Sequence, residues 1–491
     1  MKVLHYLFGL PPVYIGGLVV YAMSLASAQT GTNEVSILIP ADAAEGDSIV
    51  EIYPDNRRYN RVRKKNHLEE VNIYSIRNAL PVSYGWGVDM PVRYMQKADE
   101  KIYDEFLEKL SPDIIHMHSI MGIHAEFMKA ARKRNIPIVY TTHDFYGFCM
   151  NAKLYNSVKG CICNNVSGTE CRECCADVRP YRRIVFDQSS GYRFLQETGI
   201  YRLISKNILA MALSEYRKKH RKAVLQNEEG GINRSESEKR DKEYIELIKY
   251  YRNMLDMVDI FLYNSQQTKM IYSGLGYGNG ENIGISDINI CDRRKAKTLR
   301  GDIVIGYLGA QNALKGYQRL LDAADSVAGQ GYRNFRIVTY GDFDPVRPYL
   351  IKRGKYNASD MDSVYTSMDI LVVPSIWMET YGLVVAEAIS FGTPVIVSEC
   401  VGAVEILGKT ISEEAYGRLC EYGIIYNGGE EKLTEILLTI CESPEIINDM
   451  NKRITYAAEI KNIQWKSHLD KIVKTYQTII KCKQGENKCG N

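Results

Sequence analysis

No stretch of this 491-residue chain offers the roughly eighteen uninterrupted apolar residues that a spanning helix needs, so the sequence does not read as a membrane protein. Charge of one sign is also lacking. The 62 basic and 59 acidic residues leave a formal net charge of only +3, which gives no support for a nucleic-acid partner. Nor is it disordered, because 45% of the residues are apolar and 25% charged, the balance of a globular protein. A chain-wide disulfide framework is missing too: six of the twelve cysteines fall between Cys149 and Cys175, and such clustering points to local metal or redox chemistry first. What remains is a chain too long for one ordinary core, for which two domains are expected.

The opening MKVLHYLFGLPPVYIGGLVVYAMSLASAQT has two incompatible readings. A lysine, an apolar run and a final ASAQ resemble a secretory signal peptide. Alternatively, Lys2 to Tyr6 is a strand, a loop carries Pro11, Pro12, Gly16 and Gly17, and a helix runs from Leu18 to about Gln29. The paired prolines and glycines interrupt the continuous apolar helix of a signal peptide. Removal of the segment would also take an edge element and the Gly-Gly loop from the first domain. The strand, loop and helix are therefore expected, with a cytoplasmic location and no structural disulfides.

Short apolar runs recur, each followed by a longer stretch of helical period. Strands are expected at VSILIP (35–40), VNIYSI (71–76), DIIHMH (113–118), IPIVYTTHD (136–144) and IFLYN (260–264). A second series follows at DIVIGYLG (302–309), FRIVTYG (335–341), ILVVPS (370–375) and PVIVS (394–398). Runs apolar on both faces and alternating with helices predict parallel sheets covered on both sides, hence an α/β chain of two doubly wound domains. The expected division is 1–295, 296–455 and a terminal helix in 456–491 that packs back on the first domain. The highly charged run 217–243 reads as a solvated or mobile insertion; the alternative makes its RKKHRK a contact for anionic lipid head groups and the protein peripheral to the inner membrane face.

VPSIWMETYGLVVAEAISFGTPVIVSE carries the most chemistry. A strand ends at Val373, a loop follows, and a helix begins near Gly382. The backbone N–H groups of Gly382 and Leu383 then lie at a helix N-terminus, where orphan donors and the dipole favour a phosphate. Glu379 in the loop and Glu387 in the helix can accept hydrogen bonds from hydroxyls on either side of a diphosphate. His118 ends a strand, so it lies at the mouth of a doubly wound sheet; His116, two residues deeper, reads as a satisfied core histidine. His143 and Asp144 end the next strand, where a histidine–carboxylate neighbour pair suits orientation of hydroxyls.

The stretch E-TYGLVVA-E with AISFGTPVIVSE resembles the signature of glycosyltransferase family 4. PPVYIGG resembles that family's glycine loop, DIIHMHS its first-domain histidine strand and IGYLGAQNALKG its phosphate-binding segment. The resemblance covers nearly the whole chain. It implies the GT-B architecture, two Rossmann-like domains facing each other across a cleft, and a retaining transfer of sugar from a nucleotide-sugar donor, UDP- or GDP-linked, to a saccharide or lipid-linked acceptor in polysaccharide or glycoconjugate synthesis. It further implies that Gly16, Gly17, Gly309, Lys315, Gly382, Leu383 and Glu387 bind the donor, Glu387 through its ribose. His118, Lys315 and Glu379 are the implied catalytic residues, with Lys315 neutralising the diphosphate and His118 contacting sugar or acceptor. His143 and Asp144 fall on the acceptor side. The family usually has an arginine where Ala310 stands, so one cation on the leaving diphosphate is missing or comes from elsewhere.

No covalent nucleophile stands out, and front-face attack with retention is implied, with no cofactor required for transfer and no local pair of aspartates for a diphosphate-bridging metal. The spacing C-x11-C-x-C-x7-C-x2-C-C suits a structural zinc on Cys149, Cys161, Cys171 and Cys174, with reduced, partly buried thiols as the alternative. A subset of family 4 enzymes carries a similar stretch after its HD pair, so the cluster is expected to brace the acceptor side. Two further functions compete with transfer: a non-catalytic sugar-nucleotide-binding scaffold of the same fold, and an epimerase acting on the sugar nucleotide itself.

Overall fold

The computed structural model describes residues 1–43, 49–163, 168–198, 234–299, 301–341, 346–460 and 464–485. The chain divides into two compact units. The first is Met1–Leu262 with the carboxyl-terminal stretch from Lys474, and the second is Tyr263–Val473. The division falls earlier than the expected 295. Immediately after the Ile260–Tyr263 strand, Thr268 Oγ1 donates to the Thr380 carbonyl at 3.0 Å and Gln267 Nε2 to that of Glu399 at 2.9 Å. The Trp465–Lys483 helix crosses the division. RKKHRK lies outside the described residues, whereas the end of the charged run opens the helix Arg234–Leu255.

Seven strands of the first unit's sheet run in the order Ile260–Tyr263, Ile138–Thr141, Ile114–Met117, Lys2–Tyr6, Glu34–Ala43, Asn72–Ala79 and Glu51–Pro54. All pairs are parallel except the last. Lys2–Tyr6 is therefore a central strand, not the edge element expected from the sequence. Four of its five residues are buried, since a strand covered on both faces needs apolar side chains at consecutive positions. The helix Gly17–Gln29 follows and buries Val19, Tyr21, Ala22, Leu25 and Gln29. Register places His5 opposite His116 on the neighbouring strand. Because strand side chains alternate, His118 lies on the same side as His116, one step nearer the strand's carboxyl end.

The second unit orders its strands Leu350–Arg353, Phe335–Tyr340, Ile303–Tyr307, Ile370–Val373, Val395–Ser398, Gly423–Tyr426, Gly417–Cys420 and Thr410–Glu414. The first six are parallel, and the last two fold back antiparallel. Ile305, Ile337, Ile370, Ile396 and Ile424 from these strands pack with Leu320, Leu321, Leu433 and Leu437 from two helices into one core. Thr410–Glu414 and Gly417–Cys420 were invisible to the apolar-run reading because they are mostly exposed or half-buried. Thr410–Glu414 is the edge of the sheet and Gly417–Cys420 its neighbour, and neither is covered closely enough to need an apolar run.

Candidate functional site

In the second unit the loop after Ile303–Tyr307 meets the loop after Ile370–Val373. The Ile376 N–H donates to the Leu314 carbonyl at 2.9 Å. Gly316, at φ +71°, lies so close to Pro374 that a Cβ there would stand 1.9 Å from its carbonyl oxygen. Only glycine tolerates both the left-handed backbone and the approach. That contact delivers Lys315, whose Nζ lies 2.8 Å from Glu379 Oε2 and 5.4 Å from the centre of the Trp377 ring. The other oxygen of Glu379 accepts from the Ser375 hydroxyl. Its backbone is pinned as well, by a 2.9 Å bond to the Cys400 carbonyl and an isolated parallel bridge to Val401.

Gly382, at φ +105°, caps the helix Leu383–Ser390. The first-turn N–H groups of such a helix have no partner within it. Glu387, on the same helix, accepts from the Tyr365 hydroxyl, and Tyr365 is itself stacked on Phe391, with ring centres 5.1 Å apart. Burial raises the Glu387 carboxyl pKa; the Tyr365 bond opposes that rise, and Asp287 adds to it. Both acids thus hold a protein hydroxyl of the kind a sugar or ribose presents. Gly309 sits against the Tyr307 hydroxyl, which donates to the Ala310 carbonyl at 2.7 Å. Ala310 is exposed.

In the first unit Gly16 caps the helix that begins at Gly17, and a Cβ at Gly16 would stand 2.6 Å from the Tyr84 hydroxyl. His118 lies at the carboxyl end of its strand, but its ring is 0% exposed. It bonds His5 Nδ1 through Nε2 at 3.1 Å and His143 Nε2 through Nδ1 at 3.2 Å. The half-buried His143 is the more exposed of the two. His116 is the satisfied core histidine, tied to the Tyr476 hydroxyl and, at 2.7 Å, to Thr141 Oγ1. Burial pushes the Asp144 carboxyl up to about 7, although it accepts the Tyr146 N–H at 2.8 Å. Sequence reasoning missed Gln29, His5, Ser375, Tyr365 and Tyr476. A lone histidine in the apolar KVLHYLF was the one available signal, and the others depend on long-range contacts.

The cysteine cluster differs from the expected ligand set. Cys149, Cys163, Cys171, Cys174 and Cys175 line one pocket, whereas Cys161 is exposed on the small hairpin of Tyr155–Asn156 and Cys161–Ile162. Asn151 sits within the cluster, accepting from Cys149 Sγ at 2.8 Å and donating to Cys174 Sγ at 3.3 Å. Burial raises the Cys149 thiol to about 11 and Cys175 to about 12, which favours the protonated form. Among the described residues, the three-residue group whose ligand atoms all lie within 4.8 Å is instead His5, His116 and His118. The quartet Cys149, Cys161, Cys171 and Cys174 is not assembled as a tetrahedral site. The thiols of Cys149 and Cys174 bond to Asn151, and the exposed Cys161 on the hairpin does not line the pocket that holds the other three.

Comparison with known proteins follows the same division. Residues 15–165 match the family model Glycosyltransferase Family 4, and residues 302–438 match Glycosyl transferases group 1. An uncharacterised glycosyltransferase of Methanocaldococcus jannaschii is 27% identical over 173 residues, 32% of this chain and 43% of the relative, so the match spans less than half of that relative's length. HepE of Anabaena, solved with UDP and glucose, superposes with a TM-score of 0.53 at 13% identity, over 97% of this chain and 100% of that one. Sucrose-phosphate synthase of Thermosynechococcus elongatus gives 0.51 at 13% identity, over 97% and 98%. The chain has the GT-B fold of these structures, α/β with two parallel-dominated sheets in two domains. No described helix is long and apolar enough to cross a membrane.

Proposed function

We propose that the chain is a retaining glycosyltransferase that moves a sugar from a nucleotide-sugar donor to a saccharide or glycolipid acceptor. The observation that carries this reading is the Lys315–Glu379 ion pair, 2.8 Å across, beside the start of the helix that bears Glu387. A diphosphate arriving at the Leu383 helix offers Lys315 a more highly charged partner than one carboxylate. Lys315 then turns to the phosphate, and Glu379 Oε2 is released to accept a hydroxyl of the transferred sugar. Glu387 exchanges the Tyr365 hydroxyl for those of the ribose. HepE binds UDP and glucose, which makes UDP-glucose the first donor to try.

In the transfer, the bond from the anomeric carbon to the diphosphate oxygen breaks with its electron pair leaving on the diphosphate. The acceptor hydroxyl attacks the same face, and its proton passes to the departing phosphate oxygen. Charge grows on the diphosphate as this proceeds, so Lys315 and the helix N-terminus stabilise the transition state more than the bound donor. His143 and Asp144 orient the acceptor.

Ala310, exposed where a second cation is expected, favours the alternative of a sugar-nucleotide-binding scaffold without activity. A panel of UDP-, GDP- and ADP-sugars with saccharide and lipid-linked acceptors separates the two. Transfer with retained anomeric configuration is expected. Binding of a donor with no turnover toward every acceptor would establish the scaffold instead, and turnover of the donor to an isomer without acceptor would establish an epimerase.

A further inference from the structure

The cluster of His5, His116 and His118, with ligand atoms within 4.8 Å of one another, would suit a metal on distance alone. Its hydrogen bonds describe something else. All six ring nitrogens have partners: His5 bonds Gln29 and His118, His116 bonds Tyr476 and Thr141, and His118 bonds His5 and His143. The lone pairs are spent on neighbours instead of converging on one point.

Four of these groups form a line. Gln29 Oε1 lies 2.9 Å from His5 Nε2, His5 Nδ1 3.1 Å from His118 Nε2, and His118 Nδ1 3.2 Å from His143 Nε2. A carbonyl oxygen only accepts, so His5 Nε2 carries a proton. Burial lowers the His5 pKa to about 4 and that of His118 well below 6.5, so each ring holds a single proton near neutrality. His5 Nδ1 is then an acceptor, which puts the His118 proton on Nε2; His118 Nδ1 is in turn an acceptor, which puts a proton on His143 Nε2. Each ring's tautomer dictates the next.

We propose that Gln29, acting through His5 and His118, holds a proton on His143 Nε2 and so fixes which nitrogen of the His143 ring donates. Gln29, His5 and His118 are positioning residues, and His143 is the group that meets the acceptor hydroxyl. This rests on the reading of the first unit as the acceptor side. The opening segment has a second role in consequence, because the strand Lys2–Tyr6 and the helix Gly17–Gln29 supply the two residues that set the direction of the line.

The test is long-range proton–nitrogen NMR on the full chain labelled with nitrogen-15 histidine. Nε2–H forms of His5 and His118, with a protonated Nε2 on His143, are expected at pH 7.5. Nδ1–H forms of His5 or His118 would reverse the line and overturn the proposal. So would a concerted shift of the His5, His116 and His118 signals on adding stoichiometric zinc, which would establish a metal site. Gln29→Leu, with its fold checked by thermal melting, is expected to mix the tautomers and to lower transfer to acceptor by up to about 100-fold while donor hydrolysis without acceptor is unchanged. Gln29→Glu, whose carboxylate also only accepts, is expected to restore both. Equal loss of transfer and hydrolysis in Gln29→Leu would reduce the line to a structural feature. Should no nucleotide sugar be turned over at all, the transferase reading fails, while the wild-type spectrum still decides the tautomers.

Discussion

The two units solve the same topological problem with different electrostatics. Each is a mostly parallel sheet, and each gathers its polar groups at the carboxyl ends of its strands, where doubly wound folds open to ligands. In the second unit those groups are charged, with Lys315 Nζ on Glu379 at 2.8 Å. In the first they are the Gln29 amide and three imidazoles in a hydrogen-bonded line of 2.9 to 3.2 Å steps, with burial lowering the pKa of His5 and His118. On the proposed reading charge suits the second unit, because a diphosphate is drawn to a cation and gains nothing from a buried line of uncharged rings. On the same reading uncharged rings suit a first unit that orients acceptor hydroxyls, since each ring nitrogen donates or accepts in a set direction. The contrast teaches that the shared topology places the groups, and that burial sets their state.

The largest effect that would sharpen this contrast is expected at Lys315. Lys315→Ala should lower turnover about 100- to 1,000-fold, the loss seen when one preorganised donor to a developing charge is removed, with a smaller loss of donor affinity. Steady-state kinetics with donor binding by calorimetry checks it. Parallel losses in both would reduce Lys315 to a binding residue.

The neutral rings make the first unit sensitive to acid. The His5 pKa is lowered in the fold from 6.5 to about 4, so between those values the unfolded chain binds a proton that the folded chain refuses. Stability contributed by keeping the ring neutral is therefore present above pH 6.5 and is lost as pH falls towards 4. The shift corresponds to about 3 kcal/mol, and His118 moves in the same direction. Denaturant unfolding followed at pH 7.5, 5.5 and 4.5 should show the loss, reduced in His5→Gln. An unchanged acid profile in that variant would contradict the burial argument.

A backbone prediction is next in size. Gly316→Ala places a Cβ against the Pro374 carbonyl and forces a left-handed alanine, which should destabilise the second unit by about 2 kcal/mol and misplace Lys315. A thermal shift read with a fluorescent nucleotide present and absent distinguishes the two consequences. The smallest effect is expected at Glu387. Glu387→Ala should weaken nucleotide binding about tenfold, the worth of one or two hydrogen bonds, without changing the tautomers of the first unit.

The second unit was the more legible in sequence because its site is local. Glu379, Gly382, Leu383 and Glu387 lie within one loop and one helix, so their spacing already implies an arrangement, and Lys315 comes from the loop that Gly316 presses against Pro374. The first unit was less legible because its line joins residues 29, 5, 118 and 143, and only strand register brings His5 beside His116. His118 read as a ligand-contacting group because it ends a strand; the structure places it just after Met117 but fully buried, with Tyr21, His116 and His143 packed around it. The compact units divide between Leu262 and Tyr263, ahead of the expected limit near 295, and bonds from Gln267 to Glu399 and from Thr268 to Thr380 join partners far apart in the sequence.

The sequence by itself determined the alternation of apolar strand and helix, the helix start at Gly382–Leu383 and the two acids beside it, because these follow from side-chain period, backbone freedom and spacing along a few residues. Tertiary structure alone decided that Lys2–Tyr6 lies in the middle of its sheet, that Cys161 stands apart from the other cysteines, and that Gln29 reaches His5. Those facts depend on which distant segments become neighbours, and the protonation of a buried ring depends on what surrounds it in space.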